Sequence, residues 1–128
     1  MGTVQDHLDQ ARHNLDFLQS FDKEVFSDWT VTVCFYVAVH YANALIQTRK
    51  PMHPGNHADR ERELAGLNEW RQIYADYCEL SNKSQKARYD GYPINSDRRQ
   101  RLQNRLDRLI QAVTNELHSR NIPTAQVP

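Results

Sequence analysis

The residues of this sequence best suited to chemistry are His57 and Arg60, three positions apart at the start of a predicted helix. An imidazole can accept and donate a proton near neutral pH, and a guanidinium can hold a phosphate through two parallel hydrogen bonds. Together they supply the groups that metal-free cleavage of a phosphodiester bond requires. The structural alternative is that His57 only occupies the first helical turn and Arg60 pairs with an acid such as Glu63.

A second candidate site is a basic segment with aromatic residues interleaved. Arg88 and Tyr89 could contact a phosphate and stack on a base. Arg98 and Arg99 add positive charge near the start of the last predicted helix. These four residues predict a surface for nucleic acid or a protein partner. The alternative is a solvated face whose charges form ion pairs.

His40 and Asn43 lie on a helical stripe that turns from apolar to polar along the second predicted helix. Polar groups on an inward face must find hydrogen-bond partners or water. The stripe therefore predicts a buried polar seam at His40 and Asn43. A catalytic role for His40 is the alternative to a histidine whose hydrogen bonds are satisfied in the core.

A metal site or a cofactor is not expected from the residue spacing. His53 and His57 are separated by a Pro-Gly dipeptide, so they do not share one face of a helix, and no third ligand follows at a dedicated spacing. Cys34 and Cys78 do not form a Cys-x-x-Cys pair and lie in apolar stretches. We expect both to be reduced, buried thiols.

The elements that must position these residues are predicted to be helices, because apolar side chains recur at steps of three and four. The second helix is apolar all round from residue 31 to residue 39, which predicts that it is the most buried element. Asn56 is expected to cap the third helix, Ser27 or Asp28 the second, and Ser96 the fourth. The four predicted helices span about residues 4–21, 27–48, 57–80 and 97–120, with a polar loop at 81–95.

Short connections between consecutive long helices favour antiparallel neighbours. The predicted fold is therefore all-α, an antiparallel up-down-up-down four-helix bundle. One domain covers residues 1–120, and the tail at 121–128 is expected to fray. In this topology His57 and Arg60 lie at one end of the bundle, well separated from Arg88, Arg98 and Arg99 at the other.

Charge and hydropathy limit the function classes. Sixteen basic residues balance sixteen acidic ones, so no overall positive field draws in nucleic acid or an anionic membrane. The first ten residues lack the apolar run of a signal peptide. The apolar stretch at 31–46 is shorter than the roughly 20 residues of a membrane span and contains His40 and Asn43. We expect a cytoplasmic protein without a membrane partner.

The order of aromatic residues, histidines and helices resembles the HEPN superfamily (higher eukaryotes and prokaryotes nucleotide-binding). The resemblance is carried by the stretch at 29–45, by His57-Ala-Asp-Arg60, by Tyr77 and by the segment at 84–89. It covers nearly the whole chain and implies a helical bundle and frequent homodimerisation. For many members it also implies metal-independent RNA cleavage in prokaryotic toxin–antitoxin, CRISPR or antiviral systems.

The sequence departs from the catalytic signature of that family, an Arg and a His separated by a short interval of limited length, usually with a polar residue directly after the Arg. Arg49 precedes His53 by three intervening residues and His57 by seven, and neither interval fits. The resemblance therefore implies a non-catalytic or divergent RNA- or nucleotide-associated module of a toxin–antitoxin or defence context. Its expected partners are a second copy of the chain, RNA or a nucleotide, and a cognate regulatory protein.

Two alternatives remain open. One is a metal-independent ribonuclease that uses His57 and Arg60. The other is a small ligand-binding helical bundle unrelated to RNA.

Overall fold

The structure is a computed structural model that describes residues 2–50 and 56–122. Within these ranges all regular structure is helical, so the prediction of an all-α protein is confirmed. A single 3-10 turn, Asn68–Trp70, lies between the third and fourth helices. His53 and the tail at 123–128 lie outside the described residues. The helices are α1 (Val4–Leu18), α2 (Ser27–Arg49), α3 (His57–Ala65), α4 (Arg71–Tyr89) and α5 (Ser96–Ser119).

Helix α2 is the centre of the fold. It packs against α1, α3, α4 and α5, and most of its side chains from Thr30 to Ile46 are buried. The β-branched run at 31–33 favours a strand locally, but burial on every side by other helices outweighs that preference. The prediction that this element is the most buried one is confirmed.

Among the described residues, α2 is also the one helix long and apolar enough to cross a membrane by length and composition. Its most apolar window is 83% buried within the protein. A core helix of a globular protein meets the same criteria, because it too must be apolar around its whole circumference.

Helix α1 begins with a capping box in which the Thr3 hydroxyl accepts from the Asp6 amide and the Asp6 carboxylate accepts from the Thr3 amide. The helix ends at Leu18, three residues earlier than predicted. Phe21 follows in a turn and still packs in part against the core. Its apolar spacing therefore indicated contact with the core but not helical structure.

The predicted third helix at 57–80 is wrong, because the chain breaks into two helices. Helix α3 stops at Gly66, and Leu67 has extended backbone. A Cβ atom on Gly66 would lie 3.2 Å from Nη1 of Arg49, so glycine leaves room for the end of that side chain. The break lets the 3-10 turn insert Trp70 fully into the core.

The predicted loop at 81–95 is also wrong over its first part, because α4 continues to Tyr89. Ser84 and Ala87 continue the buried stripe of Leu80 one and two turns further along α4. The stripe is made of small residues, so an apolar pattern did not reveal it. Gly91 then ends the segment with a positive φ of 63°, which glycine adopts at little cost.

Two of the predicted helix caps differ in the structure. Asn56 caps α3 as expected, accepting from the Asp59 amide. Asn95 rather than Ser96 caps α5, since its side chain accepts from the Arg98 amide. No side chain caps α2, and Ser27 instead donates its hydroxyl to the carbonyl of Ile94. The small polar residues at 27 and 96 tie the loops of neighbouring helices together.

Neither cysteine takes part in a disulfide. Cys34 is fully buried on α2, and burial raises its thiol pKa to about 12. Cys78 is half-buried on α4, and burial raises its pKa as well. Both thiols are therefore poor nucleophiles at neutral pH.

A buried acid joins α4 to α5. The Asp76 carboxylate is fully buried and accepts from Arg105 Nη1 at 3.0 Å and from Arg108 Nε and Nη2 at 3.0 and 2.7 Å. Gln72 donates to the same carboxylate at 3.2 Å. Two arginines of α5 are therefore held in ion pairs by an acid of α4.

Replacing Asp76 by asparagine should lower the free energy of unfolding by about 2 kcal/mol, because Arg105 and Arg108 then face a neutral amide with one acceptor oxygen instead of a carboxylate with two. The loss should stay below the roughly 3–5 kcal/mol of a fully buried pair, because Arg105 and Arg108 reach solvent. Urea unfolding measures it. Asp107→Asn on exposed α5 surface is the control, and an equal loss in both variants would show that the Asp76 contacts contribute nothing specific.

Candidate functional site

The candidate site is built around a buried arginine. Arg60 is only 7% exposed, and its guanidinium donates to three neutral acceptors. Nε donates to Asn43 Oδ1 at 2.9 Å, while Nη1 donates to the Tyr77 hydroxyl at 3.0 Å and to His57 Nδ1 at 3.0 Å. These bonds join α2, α3 and α4, so the site forms only when all three helices are packed.

Arg60 forms no ion pair with any described residue. Glu63, the acid proposed as its partner, instead accepts from Lys50 at 3.0 Å, so the proposed pair of Arg60 with Glu63 is wrong. The described residues give Arg60 Nη2 no hydrogen bond. A buried charge without a counter-ion costs several kcal/mol, and an incoming anion would recover part of that cost.

His57 lies beside Arg60 and is exposed to solvent. Because a guanidinium can only donate, Nδ1 of His57 must be the acceptor in their contact, which leaves the proton on Nε2. Burial of the ring, followed by the positive charges of Arg60 and Arg88, lowers the pKa of His57. The imidazole is therefore neutral at pH 7 and presents an N–H donor.

Arg88 completes the site from the far part of α4. Its Nη1 donates to the Tyr36 hydroxyl at 2.7 Å, and its guanidinium lies 5.2 Å from the Tyr89 ring and 5.6 Å from the Tyr36 ring. It forms no ion pair within the described ranges, and its buried Nε has no partner there. A second guanidinium is thus held by aromatic groups rather than by acids.

The predicted separation of Arg88 from His57 is wrong. The two residues share Phe35: its ring centre lies 5.2 Å from the His57 ring and 5.9 Å from the Arg88 guanidinium. The extension of α4 through the predicted loop is what brings Arg88 there. We call His57, Arg60 and Arg88 the arginine–histidine cluster.

His40 and Asn43 lie one turn apart on α2, and Asn43 faces the cluster. Asn43 is buried and bonds Arg60, whereas His40 is half-buried and bonds His7, with 3.1 Å between their Nδ1 atoms. The two rings are stacked at 5.4 Å. Burial and the Arg60 charge lower the pKa of His40. The contact of His7 with His40 was not predicted, because a position on the inward face of α1 does not identify which residue of another helix it meets.

The other predicted binding residues divide between two places. Tyr89 is 74% exposed and flanks Arg88. Arg98 lies 4.9 Å from the Tyr92 ring, between α4 and α5, and Arg99 donates to Gln103 one turn along α5. The structure therefore brings Arg88 and Tyr89 to the cluster but not Arg98 and Arg99.

A groove between α1 and α2 runs alongside the cluster and was not expected from the sequence. It encloses about 600 Å³, and Tyr36 lines it as well as bonding Arg88. The sequence contains the aromatic residues of this groove around the loop between α1 and α2. Helical periodicity assigns them to two separate helices, so it does not show that they face one hollow. We define the aromatic groove by its five aromatic residues, Phe17, Phe21, Phe26, Trp29 and Tyr36.

No group of three or more metal-ligating side chains is found in the part of the chain that the structure describes. Comparisons of the chain with protein-family models, with curated proteins and with solved structures find no match. The function of the chain is therefore inferred from the geometry of the site.

The lowered pKa values of His40 and His57 predict how stability depends on pH. Both lie below the ordinary value of 6.5, so the unfolded chain binds these protons more readily than the folded one. The free energy of unfolding should therefore fall as the pH drops below about 6.5. Urea unfolding at pH 7.5 and pH 5.5 measures this difference.

His40→Gln and His57→Gln should each reduce the difference between the two pH values, because the glutamine cannot take up the proton. His13→Gln, at an exposed position of α1, is the control and should leave it unchanged. Stability equal at both pH values in the unaltered protein would contradict the assignment of neutral imidazoles to the folded state.

Proposed function

We propose that this chain is a HEPN-like helical module that binds RNA or a nucleotide through phosphate at the arginine–histidine cluster. The observation that carries the proposal is the buried Arg60 guanidinium, which has three neutral acceptors and no ion pair with any residue that the structure describes. Its Nε and Nη1 are engaged by those acceptors, so Nη2 is the nitrogen that would donate to a phosphate oxygen. Arg88 and the Nε2 proton of His57 supply further donors around the same space.

Binding is favoured over catalysis by the orientation of His57. A general base must present an unprotonated nitrogen to the attacking hydroxyl. In His57 that nitrogen is Nδ1, and it already accepts from Arg60 at 3.0 Å. Nε2 carries the proton, so the ring can donate to a phosphate oxygen but cannot accept from substrate without turning.

The second candidate function is a metal-independent ribonuclease that uses His57 and Arg60. It is favoured by the solvent exposure of His57 and by its lowered pKa, which keeps the imidazole unprotonated at neutral pH. In this mechanism the ring turns so that a nitrogen takes the proton of a ribose 2′-hydroxyl, while Arg60 stabilises charge on the phosphate. The third candidate, a small-ligand bundle unrelated to RNA, has in its favour only the volume of the aromatic groove.

The remaining features of the proposal follow the family resemblance. The helices are arranged as an antiparallel up-down-up-down bundle, and two copies form a dimer. The module acts in the cytoplasm, in a prokaryotic toxin–antitoxin or defence context, with a cognate regulatory protein as a further partner. Local donors rather than overall charge account for its affinity, since the net charge of the chain is zero.

Arg88→Gln should weaken binding of a labelled single-stranded RNA by about tenfold, because one charged hydrogen-bond donor is lost. The slope of log affinity against log salt should fall by roughly 0.7 to 1. Fluorescence anisotropy over a salt series measures both. Arg62→Gln on α3 is the matched control, since Arg62 is exposed and bonds only Asp59. Equal affinity of the unaltered protein and both variants for RNA would show that Arg88 does not contribute to binding.

RNA incubated with the protein in EDTA should remain intact, because the proposal assigns His57 to binding. Gel electrophoresis of labelled structured and single-stranded RNA makes the comparison, with His57→Ala alongside the unaltered chain. Cleavage that disappears in His57→Ala would replace the binding module by the ribonuclease. Cleavage that persists in it would point to a contaminant.

Light scattering at micromolar concentration should give about twice the 15.0 kDa of one chain. A mass equal to one chain would exclude the dimer while leaving phosphate binding by the cluster in place.

A further inference from the structure

We propose that the aromatic groove binds unpaired bases of single-stranded RNA whose phosphate lies on Arg88. This inference rests on the proposed function and names its substrate class. The groove and the cluster share one residue, Tyr36, whose ring lines the groove and whose hydroxyl accepts from Arg88 Nη1 at 2.7 Å. A base against the ring and a phosphate on the guanidinium would therefore be neighbours along one strand.

The aromatic residues of the groove are exposed to a degree that the fold itself does not require. Trp29 is 57% exposed, Phe17 54%, Phe26 47% and Tyr36 43%. All four lie around one hollow of about 600 Å³ rather than being scattered over the surface. Clustered exposed apolar groups mark a binding surface, whereas isolated ones are ordinary. The volume lies within the range of pockets that hold small molecules or single nucleotides.

The composition of the groove favours a nucleobase over an aliphatic ligand. Its walls are flat aromatic faces, on which bases stack without regard to sequence. Asn14 and His40 also line it, so hydrogen-bonding groups are available within an otherwise apolar hollow. A nucleobase can meet both requirements, because its flat face can stack on the aromatic rings and its polar edges can form hydrogen bonds with Asn14 and His40.

The charges beside the groove define where the phosphate lies. Arg88 is held by Tyr36 and Tyr89 and has no acid partner among the described residues. Asp28 lines the neighbouring hollow together with Trp29 and Arg88, so it disfavours phosphate on that side. A strand therefore places its phosphate between Arg88 and His57 of the cluster, with the base turned toward Trp29 and Tyr36.

A double helix does not meet these requirements. Its bases are stacked on one another and present only their edges, so their faces cannot reach the aromatic walls. Single-stranded RNA is therefore the class of ligand that fits the groove, and duplex RNA of the same length serves as the negative control.

The test compares three RNA probes of equal length: a single strand, a single strand made abasic at its central positions, and a duplex. In anisotropy titrations each abasic position that faces the groove should weaken binding by about 5- to 150-fold, which corresponds to about 1–3 kcal/mol of stacking per base. Trp29→Ser should lose affinity for the intact strand by a similar factor and bind the abasic strand as before. Val25→Ser is the matched control, because Val25 is 70% exposed but does not line the groove.

Tryptophan fluorescence provides a second measurement on the unaltered chain. Trp70 is fully buried, so quenching by acrylamide reports on Trp29. Bound single-stranded RNA should protect Trp29 from the quencher, and the duplex should not. This measurement keeps the inference testable if Trp29→Ser fails to fold.

The outcomes separate the inference from the proposed function. If Arg88→Gln weakens all single strands while Trp29→Ser and abasic sites change nothing, the groove does not bind bases but phosphate binding stands. If no RNA binds at any salt concentration, both fail. Protection of Trp29 that rises with protein concentration in the absence of RNA would assign the groove to a second copy of the chain and overturn the inference.

Discussion

The buried guanidinium of Arg60 is the constraint on which the arrangement of the site depends. A positive charge is removed from water without an ion pair to any described residue, so every acceptor around it is needed. Those acceptors come from α2, α3 and α4, through Asn43, His57 and Tyr77. The short helix α3 packs in the place where these contacts can be made. The same contacts fix the tautomer of His57 and leave the cluster with surplus positive charge.

The two faces of α2 show how one helix serves both stability and function. Most of its surface is covered by other helices, whereas the stripe that carries Trp29 and Tyr36 remains open. Further along that stripe follow His40 and Asn43, where the aromatic side chains give way to polar ones. An apolar core, an aromatic groove and a polar cluster thus lie side by side on a single rigid element, which holds their relative positions without a mobile loop.

The helical class, the central position of α2 and the Asn56 cap were predictable, because each depends on local spacing and on capping chemistry. The break at Gly66 was not, since it depends on the burial of Trp70 and the close approach of Arg49. His57 and Arg60 were correctly chosen as neighbours because they lie on one helical turn. Arg88 and the aromatic groove join them through contacts between distant segments, which no local pattern contains.

The central position of α2 also has a consequence for synthesis of the chain on the ribosome. Helix α2 is complete at Arg49, but the helices that cover much of it, α4 and α5, follow at Arg71–Tyr89 and Ser96–Ser119. A growing chain adds about 5–20 residues per second, so for several seconds α2 has only α1 and the short helix α3 as packing partners. During that interval its apolar surface is a target for chaperones and for aggregation with other nascent chains.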